Sequence, residues 1–169
     1  AAGGSLNPKE LLDIAYCLRA LRTLDEWRNH SSGVKTSLDF FFEGITSNKY
    51  LETKILSCIV SKEEIADKAS DTLFDIRKKI RSKENSIREK LDSLIHSSHY
   101  QQFLQEAIIT QRNGRFVVPV KAECRGNVPG LVHDTSSTGA TVFIEPASVV
   151  DANNDIKVLQ GKERDEIMR

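Results

Sequence analysis

The sequence has no surplus of either charge. Its 169 residues carry 24 Lys and Arg against 24 Asp and Glu, so net charge points to no polyanion, and any such partner must be met by a local patch. Cysteine is scarce. Cys17, Cys58 and Cys124 are odd in number, far apart and without a CxxC pair, which argues against a disulfide framework or a zinc cage and for a cytoplasmic protein. No apolar run approaches the length of a membrane span, and Ala1 to Ser5 lacks the basic flank and apolar run of a signal peptide, so a soluble protein with no membrane partner is expected. Neither a GxSxG elbow nor a GxxxxGK[ST] phosphate loop is present, so two common routes to hydrolysis have no motif here.

What is there is a foldable chain. Hydrophobic residues at 39% and charged residues at 28% fit a folded protein and exclude a disordered one. The last residues, Glu163 to Arg169, stop inside a helical pattern with no Gly or Pro cap, which predicts a piece of a longer protein.

Asn7-Pro8-Lys9-Glu10 places an N-cap, a first-turn proline and a capping-box glutamate in order, predicting a helix from Pro8 to about Trp27. Its apolar stripe is Leu11, Ile14, Ala15, Leu18, Leu21 and Leu24, broken by Ser31-Ser32-Gly33. A short helix around Thr36 to Glu43 carries Phe40, Phe41 and Phe42, expected to plug into a helical core. Gly44 to Asn48 reads as a loop, Leu51 to Ile59 as another short helix, and Ser61 with Glu64 as the cap of the next turn. Cys17 and Cys58 fall on apolar stripes and are expected in the core, Cys124 in a loop.

Ser70 and Asp71 open the longest element. Leu73, Ile80, Ile87 and Leu94 recur every seventh residue, predicting an arm-like helix to about His96. The period then changes. Ile108 to Arg112 and Arg115 to Lys121 flank Asn113-Gly114, a strong hairpin signal. Pro119 should put the second strand at an edge or end its pairing on one side. Leu131 to His133 and Thr141 to Ile144 form a second hairpin around Asp134 to Ala140, and Pro146 starts a final helix whose apolar set includes Val149, Val150, Ile156, Val158, Leu159, Ile167 and Met168. The fold class is mainly α with a small antiparallel β unit.

Several constellations tempt a chemical reading. His133, Asp134, Ser136 and Ser137 are too close in sequence for triad geometry and read as a polar turn. His96 and His99, three apart, fall short of the ligand count of a zinc site. No catalytic residue and no metal ligand is assigned. The basic residues say more. Between Gln101 and Gly130, Arg112, Arg115, Lys121 and Arg125 are opposed only by Glu106 and Glu123. These four are the candidate nucleic-acid contacts, able to meet phosphates without reading sequence.

Arg112 to Ala122, Val128 to Asp134, Ser136 to Thr141 and Phe143-Ile-Glu-Pro146 resemble the core and clamp region of the second, Smr-bearing branch of the bacterial MutS proteins. Gly3 to Leu12 and Leu51 to Leu56 resemble the same branch, so the likeness covers nearly the whole chain. It implies a helical core segment over 1–70, a long lever helix and its end over 71–107, a four-stranded clamp-like unit over 108–145 and a truncated returning lever helix over 146–169. It also implies a homodimeric ATPase whose ATP and Mg2+ site and nuclease-like Smr domain lie beyond this chain, which itself needs no cofactor. The partners implied are branched or recombining DNA, or stalled and collided ribosomes with their rRNA. The competing expectation is a coiled-coil dimerisation scaffold pairing through Leu73 to Leu94, without contact to nucleic acid.

Overall fold

The computed structural model describes residues 4–30 and 35–169. The predicted break at Ser31 to Gly33 lies outside the described residues. Two compact units divide between Phe74 and Asp75.

The first unit is helical. α1 (Pro8–His30) opens on the reciprocal capping box expected of it: Glu10 N–H donates to Asn7 Oδ1 at 2.9 Å and Asn7 N–H to Glu10 Oε2 at 2.8 Å. α3 (Lys49–Cys58) is capped by Asn48, whose Oδ1 accepts from Leu51 N–H. The two helices bury Leu12, Ala15, Ile55 and Ile59 between them. Four such side chains make a small core. It is reinforced by Glu52, which is buried and takes bidentate hydrogen bonds from Arg22 at 2.8 and 3.0 Å and one from Arg19 at 3.1 Å. The Arg22 bonds above all hold the Glu52 carboxyl down at about 2.

Three expectations fail in this unit. The aromatic helix α2 is only Asp39–Glu43, and its phenylalanines do not plug a core. Five residues make little more than one turn, so three successive rings cannot share one face. Phe40 and Phe41 are 77% and 70% exposed, while Phe42 lies 6.2 Å from the Trp27 ring and under the Arg28 guanidinium. Ser61 and Glu64 cap no helical turn. They close a tight reversal through mutual backbone bonds, which brings Ile59 and Ile65 into an isolated antiparallel bridge. Cys17 is exposed, because α1 buries only the Leu12 and Ala15 side of its apolar stripe.

The second unit is a four-stranded sheet against two helices. α4 (Asp71–Ile95) is about 37 Å long at 1.5 Å per residue, and Ser70 Oγ caps it by accepting from Leu73 N–H. α6 (Val150–Ile167) follows a 3-10 turn over Ala147–Val149 and returns antiparallel to α4. The direction is read from the pairs Arg77 with Glu163, Lys83 with Asp155 and the Ser148 carbonyl with Lys90. β1 (Thr110–Arg112), β2 (Arg115–Lys121), β3 (Gly130–Thr135) and β4 (Thr141–Pro146) form an antiparallel sheet in the order β1-β2-β4-β3. A short helix, α5 (Ser98–Gln101), precedes it. The core gathers Ile87, Leu91 and Ile95 of α4, Phe116, Val118 and Val120 of β2, Val142 and Ile144 of β4, and Ile156 of α6. Val158 and Ile167 on α6 and Met168 just past its end, expected to be apolar contacts, are exposed.

Pro119 resolves in an instructive way. β2 is a central strand, not an edge. β1 pairs with it only as far as Val117, and beyond that point the Pro119 carbonyl accepts from Gln105 N–H on the same side. The missing N–H of Pro119 therefore falls where the β1 ladder has ended, while pairing to β4 continues through Pro119 and Phe143.

Candidate nucleic-acid interface

The Asn113-Gly114 turn has φ of 53° and 68° at its two residues, the geometry of a two-residue hairpin turn. It sets Arg112 opposite Arg115. Alternation along β2 then puts Arg115, Val117, Pro119 and Lys121 on the face opposite the core residues Phe116, Val118 and Val120. On β4, Phe143 pairs with Pro119 and Thr141 with Lys121, so Phe143 joins this second face, on which Val117 and Pro119 are buried while Arg115, Lys121 and Phe143 are partly exposed. The Arg112 guanidinium lies 4.0 Å from the Phe143 ring centroid, within cation-π range, and forms an ion pair with Asp134 at 3.2 Å. Lys121 Nζ donates to the Gln102 carbonyl at 3.0 Å. Arg125 is exposed on the 3-10 segment Ala122–Asn127.

By backbone position the four candidate residues do not form one cluster. Arg112 and Arg115 mark one end of β2 and Lys121 the other, about 20 Å away at 3.3 Å per residue, with Arg125 on the connection beyond, but the Arg112 guanidinium reaches along the sheet to Phe143. Arg115 is also occupied. Its guanidinium donates to both oxygens of Glu145 at 2.9 and 2.8 Å and to Asn154 Oδ1 at 2.6 Å.

Glu145 is wholly buried and was missed as an organising residue, because its partners come from three other elements. A bulge between Val132 and Asp134 re-aims His133, and His133 Nε2 bonds Glu145 Oε2. Asn153 of α6 donates to Glu145 Oε1 at 2.7 Å. The Asn153 amide also accepts from Phe116 N–H at 3.2 Å and donates to Phe116 C=O at 3.3 Å, standing in for β4 one step past the end of its ladder. Burial is the largest influence on the Glu145 carboxyl and pushes its pKa up. The hydrogen bonds from Arg115, His133 and Asn153, with the Arg115 charge, outweigh it and hold the carboxyl below its ordinary value. Gly130 is required beside this group, since a Cβ there would stand 2.8 Å from the Glu145 carbonyl carbon and 2.9 Å from Pro146 Cα.

The other constellations resolve as polar structure. Asp134 Oδ1 accepts from Thr135 N–H and Ser136 Oγ from Thr141 N–H, as expected of a turn. His96 bonds the Asp92 carbonyl, and His99 packs edge-on against Tyr100 and Phe103. Among the described residues no group of three or more His, Cys, Asp or Glu is placed to hold a metal, and no helix is long and apolar enough to cross a membrane.

No protein-family model matches the chain. It is 49% identical over 173 residues to the Endonuclease MutS2 of Ruminiclostridium cellulolyticum, covering 99% of the chain. It is 47% identical over 169 residues to that of Acetivibrio thermocellus and 48% over 169 residues to that of Clostridium botulinum, covering 98% and 99% of the chain. The chain belongs to the MutS2 family. It spans 21% of the length of each of these MutS2 relatives.

Proposed function

We propose that this chain is a non-catalytic gripping segment of a dimeric, ATP- and Mg2+-dependent MutS2 protein, and that its sheet meets the phosphates of branched DNA or of rRNA on stalled ribosomes. The observation that carries this is the second face of β2 and β4. The Arg112 guanidinium lies on Phe143, which pairs with Pro119 two residues from Lys121, and exposed Arg125 lies beyond, so the basic groups gather along about 7 Å of strand, the reach of about two phosphates of one strand. α4 and α6, tied by Arg77–Glu163 and Lys83–Asp155 at 2.7 Å each, are suited to pass on a displacement as a lever pair.

Burial along the heptad positions supports the grip over the coiled-coil scaffold. Leu73 and Ile87, two of its heptad positions, are buried within the chain itself, and Ile80 and Leu94 pack partly against the sheet core. The test is binding of the chain to branched DNA and to purified ribosomes across a salt series. A steep fall in affinity with salt is expected. A flat response, or no binding to either particle, removes the proposal.

A further inference from the structure

α6 brings to the hairpin tip a cation, Lys157, that lies 43 residues beyond Gly114 in sequence. Asn153, Asn154 and Lys157 share one side of α6. The first two are bonded to Phe116 and Arg115 of β2, which fixes where the third points. Lys157 extends over the β1–β2 turn: a Cβ added to Gly114 would lie 3.5 Å from Lys157 Cε and closer still to Nζ. The positive φ of the turn favours glycine there. Among the described residues no carboxylate or carbonyl takes the Lys157 ammonium, while Arg112, Arg115 and Lys83 nearby in the unit each have an acidic partner. The N–H groups of Asn113 and Gly114 are outside the β1–β2 ladder, whose last pair is Arg112 with Arg115, and enter no other backbone bond. The Asn113 side chain is tied to the His133 carbonyl at 3.3 Å, so the turn is held from both sides.

We infer that Lys157 and the Asn113-Gly114 turn form a binding site for one phosphate group, a phosphodiester of the nucleic acid, assembled jointly by α6 and the β1–β2 hairpin. The inference rests on the reading of this unit as a nucleic-acid grip and extends it to a residue outside that set of basic groups. The ammonium supplies charge and the two turn amides supply neutral donors. Because the site exists only while α6 keeps its place against β2, a shift of α6 would also release the phosphate.

Two measurements on the chain test this. In the first, a labelled oligonucleotide is titrated by anisotropy across a salt series with wild type, Lys157→Gln and Lys157→Arg. Lys157→Gln should bind about three- to tenfold more weakly, with the salt slope reduced by about 0.7 to 0.9, the loss of one phosphate contact. Lys157→Arg should retain the slope. Binding with an unchanged slope in Lys157→Gln overturns the site but leaves the grip standing. In the second, inorganic phosphate is titrated against chloride at matched ionic strength while the amide NMR signals of Asn113 and Gly114 are followed. Saturable shifts are expected in wild type and not in Lys157→Gln. Their absence in wild type, or persistence in Lys157→Gln, overturns the site. Phosphate-dependent shifts in a chain that binds no oligonucleotide would instead overturn the nucleic-acid assignment.

Discussion

At the residue scale, Glu145 is the group on which most depends. Removing one partner of a buried, hydrogen-bonded ion pair strands the other, at a cost of about 3–5 kcal/mol. Glu145→Gln keeps the shape and leaves Arg115 facing a neutral amide, so urea unfolding should show a loss of that order. Replacing both Arg115 and Glu145 by apolar residues should cost less than Glu145→Gln alone, because no orphan charge remains. Acid should act through the same chemistry. Glu52 and Glu145 both have folded pKa values below the ordinary 4.5, so each contributes stability that is complete above about pH 4.5 and is lost as pH falls through the folded value. For Glu52 that window runs from 4.5 down to about 2. The single tryptophan, Trp27 on α1, is a local probe of the first unit. Its fluorescence should report a transition within this window, and Glu52→Gln should make the transition shallower. An acid profile unaltered by Glu52→Gln would show that the Arg19 and Arg22 bonds add nothing to that unit.

At the element scale, α4 shows how far pattern carries. Leu91, packed wholly inside against the sheet, should cost about 2–5 kcal/mol when cut to alanine. Val158 on the exposed side of α6 should change stability by less than about 0.5 kcal/mol. Equal losses from the two, measured by denaturant midpoint, would contradict the assignment of inner and outer faces. The heptad of α4, its Ser70 cap, the Asn7 capping box and the Asn-Gly hairpin were all legible, because each is written in residues a few positions apart. Sheet order was not. Nothing local to Pro119 says that β4 will come to pair on its other side, and nothing in Phe40-Phe41-Phe42 says that a single turn will leave two rings in water. The candidate site was legible to the same degree. Arg112, Lys121 and Arg125 stood out by their local excess of charge, but Arg115 looked alike because Glu145 is 30 positions away. Lys157 gave no signal at all, since only the fold brings α6 to the hairpin tip.

At the scale of the whole molecule, the balance of 24 positive against 24 negative residues makes a clean discrimination possible. A chain drawn to nucleic acid by its overall field should respond to any loss of positive charge. A chain that grips through one surface should respond only there. Arg112→Gln, Lys121→Gln and Arg125→Gln together remove two charges from the sheet face and one from the connection beside it, and Lys9→Gln, Lys54→Gln and Lys62→Gln remove three from exposed positions of the first unit. The two triple variants have equal net charge. If the sheet face meets phosphates, the first should flatten the slope of log affinity against log salt by about 2 to 3 units and the second should leave it nearly unchanged. Arg115→Gln belongs to neither set, because its guanidinium is spent on Glu145 and Asn154. It should lower the unfolding midpoint, whereas the sheet-face triple should not, so stability and binding separate the structural arginine from its neighbours. Equal slopes for the two triple variants would mean that charge acts on this chain only in the aggregate, and this face of the sheet would lose its claim to be the grip.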